Sequence, residues 1–276
     1  MTGAVLAGCA TVDAHRALIV GGHACVGPKA YAEAAEANAE TLRTLVWSPF
    51  GRAELGWEIY EPTIEAELHT RCPAETPGFA APLAKWQGAH DLPATGAMDP
   101  ASFEAMKLAW QGRRPFVAAR ALGLCPDPPL EARLVVAAPS ERYRDKTVQL
   151  RRKAMRMYRR MAAGAKRALA EARADPEMLQ LFSGYRSPDY DAARCTAEGN
   201  CDGITRAACS SHRTGLALDL VVGAAEGHTV DSSVDENRLY QSRTATYRWL
   251  VVNAKRFGFV NYVFEPWHWE WTGEAP

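Results

Sequence analysis

Two short segments near the C-terminus constrain how this chain can fold. The first reads S-S-H-R-T-G-L-A-L-D from Ser210 to Asp219, and the second reads E-P-W-H from Glu265 to His268. A catalytic zinc site needs three nitrogen or oxygen ligands from the protein and an open position for water, with a general base beside that water. His212, Asp219 and His268 fit the ligand roles and Glu265 fits the base. The fold must therefore bring both segments together.

Each segment needs a break in regular strand geometry before its side chains can converge. Residues an even number apart share a face of a strand, but the first histidine lies seven residues before the aspartate, and the glutamate lies three before the second histidine. Gly215 supplies the backbone freedom for a turn in the first segment. Pro266 favours a bulge or an edge kink in the second. A straight strand with Glu265 pointing away would contradict its role as the base.

The pattern S-x-H-x-x-G-x-A-x-D followed by E-P-W-H resembles the zinc D,D-peptidases that include the VanY-type D-alanyl-D-alanine carboxypeptidases. The resemblance covers residues 181–271, with every defining position filled. It implies one catalytic zinc ion held by His212, Asp219 and His268, with Glu265 as the base and Ser210 lining the site. It also implies a substrate, the D-Ala-D-Ala terminus of peptidoglycan stem peptides, and a product, D-alanine.

The run S-G-Y-R-S that begins at Ser183 is also part of this resemblance. It implies that Arg186 presents a charged fork to a substrate carboxylate or a developing oxyanion, with Tyr185 and Ser187 beside it in the substrate site. The alternative interpretation of Arg186 is a structural salt bridge.

Three further functions are compatible with the same motifs. An endopeptidase or an L,D-carboxypeptidase would use the same zinc chemistry, and the loops around the cleft would decide between them. The third alternative is a catalytically silent wall-binding protein. Loss of a ligand or of the base would favour it, but all four residues are present.

Composition sets further limits on partners. The 276 residues are 47% hydrophobic and carry no net charge, which argues against nucleic acid as a partner. The sequence contains no run of 18 apolar residues, so no transmembrane helix is predicted. Residues 141–173 nevertheless hold twelve Lys or Arg and three Asp or Glu. We expect one long amphipathic helix over residues 142–173, whose basic side attracts anionic wall polymers or lipid, or is simply a solvated face. The oligomeric state is not predicted.

The N-terminus and the cysteines indicate export to the bacterial cell envelope. Leu-Ala-Gly-Cys ending at Cys9 resembles a lipobox, so we expect lipidation at Cys9 and a periplasmic, lipid-anchored protein, although only eight uncharged residues precede this cysteine. The alternative is a chance match. An even set of six cysteines remains, and in an exported protein it predicts up to three disulfides without fixing the pairing. The candidates are Cys25, Cys72, Cys125, Cys195, Cys201 and Cys209.

The alternatives for these cysteines are buried, reduced thiols or a second zinc site. Such a site would use Cys195, Cys201 and Cys209 with His212, at spacings unlike those of a zinc ribbon.

The predicted fold class is α+β: a small antiparallel sheet with flanking helices carries the zinc site, and a small all-helical domain precedes it. We expect a signal remnant and tail over 1–24, a helical domain over 25–124, a linker over 125–140 and the catalytic domain over 141–276. Within the helical domain, residues 79–112 resemble the peptidoglycan-binding module found beside many cell-wall hydrolases. Asp99-Pro100 is typical of a helix start there.

Three elements are expected around the second motif. Residues 231–240 are predicted as a surface loop, and residues 242–257 as a helix closed by Gly258. Residues 259–271 are predicted as the last strand. Alternation along that strand places its three tryptophans on one face, as core, and His268 with Glu270 on the other.

Overall fold

The computed structural model describes residues 25–197, 199, 201 and 209–276. The predicted lipidation site Cys9, the tail over 1–24 and most of the loop between Cys201 and Cys209 lie outside the described residues. In the described part, no helix has the length and apolar character needed to cross a membrane.

The helices of the described part are α1 Ala32–Thr44, α2 Glu61–Glu67, α3 Pro77–Ala89, α4 Pro100–Gly112, α5 Pro115–Ala121, α6 Arg152–Ala168, α7 Ala170–Ala174, α8 Pro188–Ala197, α9 Asp235–Arg243 and α10 Ala245–Asn253. Its strands are β1 Val46–Trp47, β2 Glu54–Leu55, β3 Leu134–Val136, β4 Gln149–Arg151, β5 Leu181–Ser183, β6 Ala217–Leu220, β7 Phe259–Asn261 and β8 His268–Trp271.

The largest sheet has four antiparallel strands in the order β5-β6-β8-β7. The two central strands carry the two sequence motifs. Their register sets Asp219 opposite His268 and Ala217 opposite Glu270. Ser183 of β5 is the other neighbour of Asp219. The sheet therefore aligns residues from three distant parts of the chain at one position.

Two hydrophobic cores stabilise the chain. One lies among residues 42–110 and also takes in Val263 from the C-terminal region. The other surrounds the four-stranded sheet and draws on residues 137–271. Trp267, Trp269 and Trp271 are buried in this second core, as the alternation along β8 predicts.

The predicted α+β class is confirmed, with a helical N-terminal region before the sheet. Helices α3 and α4 occupy the stretch 79–112 that resembles a peptidoglycan-binding module. The Asp99 side chain accepts a hydrogen bond from the Ser102 N–H at 2.7 Å, and Pro100 occupies the first turn. Two-residue strands β1 and β2 add a short ladder to this otherwise helical region.

The long basic helix begins later than predicted. Residues 149–151 form strand β4, which pairs with β3 and so cannot join the helix. Helix α6 therefore starts at Arg152 and ends at Ala168, with the short α7 after it. Strand β3 itself falls inside the stretch expected to be a linker.

Two predictions after residue 230 are wrong. Residues 235–243 form helix α9 rather than a surface loop, because the polar side chains of Asn237, Arg238 and Gln241 are buried and hydrogen-bonded instead of solvated. Residues 259–271 form two strands, β7 and β8, which pair with each other across a turn. One continuous strand was expected there.

Candidate metal centre

His212, Asp219 and His268 converge as a buried group whose ligand atoms all lie within 4.8 Å of one another. Nε2 of His212 is 3.2 Å from Oδ2 of Asp219, and Nδ1 of His268 is 2.9 Å from Oδ1 of the same carboxylate. Two imidazole nitrogens and one carboxylate are a donor set that suits zinc. The predicted metal centre is confirmed as a group that could hold one ion. In the described part of the chain, no other cluster of His, Cys, Asp and Glu has this geometry.

A turn followed by a strand places the first two of these side chains. Residues Ser211–Thr214 form a 3₁₀ turn that carries His212, and Gly215 then adopts a left-handed conformation with φ of 68°. A Cβ atom at Gly215 would lie only 3.2 Å from a leucine side chain, so glycine meets both the conformational and the spatial requirement. Strand β6 then carries Asp219 to its position opposite His268. The predicted break at Gly215 is confirmed.

The second nitrogen of His212 fixes the orientation of its ring. Nδ1 lies 2.7 Å from the carbonyl oxygen of Gly184, to which it can donate its hydrogen, and Nε2 then presents a lone pair toward Asp219. Gly184 tolerates this close packing because it has no Cβ. An added Cβ would lie 2.5 Å from the carbonyl oxygen of Gln149.

The ring of His268 is oriented in the opposite sense. Nδ1 faces Asp219, while Nε2 lies 3.2 Å from Oγ of Ser211 and 3.4 Å from Oε1 of Glu270. A hydrogen on Nε2 can therefore be shared with acceptors on the far side of the ring, and Nδ1 is the nitrogen that would coordinate an ion once its own proton is displaced.

Burial and the neighbouring charges shift the pKa values of the three ligands in different directions. Burial lowers the pKa of His212, and the Arg186 guanidinium lowers it further. Burial opposes ionisation of Asp219, but the two histidines hold its pKa well below the usual value. Burial also opposes protonation of His268, yet hydrogen bonds to Asp219 and Glu270 raise its pKa to about 9. A cation entering the group meets an ionised carboxylate and must displace a proton from His268.

Glu265 lies beside this group. The Glu265 N–H donates to the Tyr262 carbonyl at 2.8 Å and the His268 N–H donates to the Glu265 carbonyl at 2.9 Å, so a turn joins β7 to β8. This turn brings Oε2 of Glu265 to 4.0 Å from Nδ1 of His268. Burial raises the pKa of Glu265, against the opposing effect of His268 and with a contribution from Asp219. The break in strand geometry that a base at this position requires is a full turn rather than a bulge.

Arg186 is held at the edge of the site by Asp191. Its Nε donates to Oδ1 of Asp191 at 2.9 Å, and its Nη1 donates to Oγ of Ser183 at 3.3 Å. The hydroxyl of Ser210 donates to the other oxygen of Asp191 at 2.5 Å. Asp191 thus joins two predicted site residues, Arg186 and Ser210. Sequence reasoning missed it because it lies on α8, outside both motifs.

Ser187 and Tyr185, the other two residues predicted to line the substrate site, both make hydrogen bonds to or from the backbone. Oγ of Ser187 accepts the Tyr190 N–H at 3.2 Å, where α8 begins. The Tyr185 N–H donates to the Gln149 carbonyl at 2.7 Å, and its side chain is half-buried.

The six candidate cysteines form three disulfides, Cys25–Cys72, Cys125–Cys209 and Cys195–Cys201. This pairing leaves no thiolate for a second zinc site in this set, and it replaces the alternative of reduced thiols. The bond at Cys209 ties the region after α5 to the segment that carries Ser210 and His212.

A buried ion pair behind His268 was also missed by the sequence analysis. Oε1 of Glu270 lies 2.6 Å from Nη2 of Arg114, a residue of the helical region. Although burial opposes it, the Arg114 charge lowers the pKa of Glu270 to about 2, with further contributions from His268. The alternation along β8 does place Glu270 on the face of His268, and that was the available signal.

Residues 149–274 match the family model VanY, D-alanyl-D-alanine carboxypeptidase. A solved structure of the LdcB LD-carboxypeptidase is similar at 21% identity over 54% of this chain and 70% of that chain, with a TM-score of 0.38. A vancomycin resistance D,D-pentapeptidase VanY in complex with Zn(II) is similar at 19% identity over 53% of this chain and 83% of that chain, with a TM-score of 0.30. None of the curated proteins matches the chain significantly.

Proposed function

We propose that the chain is a zinc-dependent D,D-carboxypeptidase of peptidoglycan stem peptides, supported by the match of residues 149–274 to the family model VanY, D-alanyl-D-alanine carboxypeptidase. In this reaction water cleaves the terminal D-Ala-D-Ala bond and D-alanine is released. The observation that carries the proposal is the convergence of His212, Asp219 and His268, with the carboxylate of Glu265 4.0 Å from one ligand nitrogen.

Each of these side chains has a distinct task. His212, Asp219 and His268 would hold the zinc ion, which when bound supplies a Lewis acid for the scissile carbonyl and lowers the pKa of water. Glu265 takes the proton of the attacking water and delivers it to the nitrogen of the departing D-alanine.

Arg186 supplies positive charge for the substrate. Its contacts with Asp191 and Ser183 occupy Nε and Nη1, and none of the described residues accepts a hydrogen bond from its Nη2. This nitrogen suits the terminal carboxylate of the peptide or the oxyanion that forms during hydrolysis. The Ser210 hydroxyl donates to the other carboxylate oxygen of Asp191, and this contact helps to hold the Arg186 guanidinium in place.

Two parts of the sequence interpretation stay predictions. One is that residues 79–112, now seen as α3 and α4, bind peptidoglycan and hold the enzyme on its polymeric substrate. The other is a periplasmic location with a lipid anchor at Cys9. Both agree with a substrate outside the cytoplasm.

Mass spectrometry of purified muropeptides after incubation with the zinc-loaded protein tests the proposed reaction. A D,D-carboxypeptidase converts pentapeptide stems to tetrapeptides and leaves cross-links intact. The chelated protein and a His212→Ala variant serve as controls, and both should leave the pentapeptides unchanged.

The same spectra separate the alternatives. Conversion of tetrapeptides to tripeptides would identify an L,D-carboxypeptidase, and loss of cross-linked dimers would identify an endopeptidase. Binding to peptidoglycan with no mass change would indicate a silent wall-binding protein. Any of these three results in place of pentapeptide trimming contradicts the proposal.

A further inference from the structure

The far side of the His268 ring contacts a buried carboxylate. Glu270 lies two residues further along β8, so the two side chains share a face of the strand. Its Oε1 is 3.4 Å from Nε2 of His268, and its side chain is only 2% exposed. Because Nδ1 of His268 faces Asp219, this contact engages the nitrogen that is turned away from the ligand group.

Residues of the helical N-terminal region hold the Glu270 carboxylate in place. Nε and Nη2 of Arg114 lie 2.8 Å and 2.6 Å from Oε1, and the Phe116 N–H donates to Oε2 at 3.2 Å. Arg114 lies between α4 and α5, and Phe116 is the second residue of α5. A buried carboxylate is stable only when it is paired, and the main partners of Glu270 lie more than 150 positions away in the chain.

The Arg114 guanidinium is itself fixed from two further sides. Its Nη1 donates to Oε1 of Gln111 at 2.7 Å, and its guanidinium carbon Cζ lies 4.2 Å from the centre of the Tyr262 ring. Tyr262 in turn donates its backbone N–H to the His268 carbonyl at 3.0 Å. Arg114 therefore contacts the β7–β8 hairpin, which carries His268, at both Glu270 and Tyr262.

The stretch after α5 is tied to the other side of the centre. Cys125 forms a disulfide with Cys209, which precedes the turn that carries His212. Residues 114–125 are thus anchored at one end to the strand of His268 and at the other to the segment of His212.

From these contacts we propose that Arg114 and Glu270 are positioning residues for the zinc ligand His268, so that the helical region completes the metal centre. The carboxylate accepts the Nε2 hydrogen, which fixes the ring and its tautomer, and the arginine fixes the carboxylate. Outer contacts of this kind raise ligand basicity, and their loss typically weakens metal binding by about 10–100-fold. This inference rests on the proposed zinc-dependent function.

Zinc affinity is the test, measured on the full chain by competition with a chromogenic chelator. We expect Arg114→Met to bind zinc about 10–100-fold more weakly than the unaltered protein. Arg114→Lys, which keeps the charge but loses the fork, should recover part of this loss. Arg113→Met is the matched control, since its exposed side chain pairs with Glu67 rather than Glu270, and its zinc affinity should not change.

Two further measurements separate positioning from a loss of fold. Circular dichroism and the melting temperature of the metal-free variants report folding, and Glu270→Gln provides a nearly isosteric second variant. At saturating zinc, the positioning variants should lower kcat more than they raise KM for a D-Ala-D-Ala peptide. If both act through His268, the combined Arg114→Met and Glu270→Gln variant should lose little more affinity than either alone.

The outcomes that overturn the inference are distinct from those that overturn the function. A folded Arg114→Met or Glu270→Gln protein with unaltered zinc affinity would refute positioning, even if the peptide is cleaved. Unaltered protein that binds zinc but cleaves no stem peptide would refute the proposed function, while a weaker zinc affinity of the variants would still support positioning. Unaltered protein that binds no zinc would refute both.

Discussion

Oε2 of Glu265 lies 4.0 Å from Nδ1 of His268, the ring nitrogen that also faces Asp219. On a straight strand these two residues would point to opposite faces, because three positions separate them. The turn between β7 and β8 removes this conflict, and it brings the candidate base to the ligand side of the imidazole.

Replacing His268 with alanine should abolish stoichiometric zinc binding. Two ligands remain in that variant, and a stable protein zinc site needs at least three. Elemental analysis by plasma mass spectrometry would report about one zinc ion per chain for the unaltered protein. His228→Ala is the control, since this histidine contacts Glu236 away from the ligand group. Zinc retained at full stoichiometry in His268→Ala would contradict the ligand assignment.

Zinc should also stabilise the fold. A ligand that binds only the folded state at 100 times its Kd adds about 2.7 kcal/mol to the free energy of unfolding. Differential scanning calorimetry with and without zinc would therefore show a higher Tm for the loaded protein. In His268→Ala the two transitions should coincide, and a zinc-dependent shift in that variant would point to an ion bound elsewhere.

Glu270 should make the metal-free protein sensitive to acid. Its pKa in the folded chain is lowered from the usual 4.5 to about 2, so its stabilising contribution is complete above about pH 4.5 and is lost as the pH falls toward 2. A shift of this size corresponds to about 3 kcal/mol. Urea unfolding at several pH values should show a shallower decline for Glu270→Gln than for the unaltered protein. Parallel curves would mean that Glu270 does not carry this acid sensitivity.

Arg238 should be a major stabilising residue, because it links α9 to the helical N-terminal region. It is fully buried, and its guanidinium lies 3.2 Å from Glu54 and 2.5 Å from the Tyr60 hydroxyl. Removing one partner of a buried ion pair costs about 3–5 kcal/mol, so Arg238→Met should lower the free energy of unfolding by that amount. Arg243→Met removes a half-exposed pair with Glu58 and should change it by about 1 kcal/mol or less. Equal effects would contradict a special role for the buried arginine.

The disulfide that links the α5 region to the metal segment should matter more than the short one. Cys125 and Cys209 are 84 positions apart, whereas Cys195 and Cys201 are 6 apart. A longer closed loop restricts the unfolded chain more, and removal of such a bond typically costs about 2–4 kcal/mol. Thermal unfolding of the two paired Cys→Ser variants should show the larger Tm decrease for Cys125 and Cys209. A larger decrease from the short loop would contradict this ranking.

Each of the two metal-site segments could be predicted from sequence because the spacing within it is a local pattern. His212, Gly215 and Asp219 lie within one segment, and the backbone rule that predicted a turn at Gly215 involves only neighbouring residues. The same holds for the start of α4, where the Asp99 side chain caps the helix.

The contacts that the sequence did not reveal are those between distant segments. Arg114 reaches Glu270 across 156 positions, and Asp191 joins Arg186 to Ser210 through a helix outside both motifs. The loop predicted before residue 240 failed for a related reason. Its polar residues are buried against other elements as helix α9, and a solvent-exposed loop and a helix with buried polar contacts share the same composition.

Release of D-alanine from a synthetic stem pentapeptide by zinc-loaded Glu265→Gln tests the central claim most directly. Elemental analysis on the same samples establishes that each protein carries zinc. We expect the variant to keep one zinc ion per chain but to lose activity by about 10²–10⁴-fold, because the ligands remain and only the proton shuttle is removed. A fully loaded Glu265→Gln protein that releases D-alanine at the rate of the unaltered protein would contradict the account.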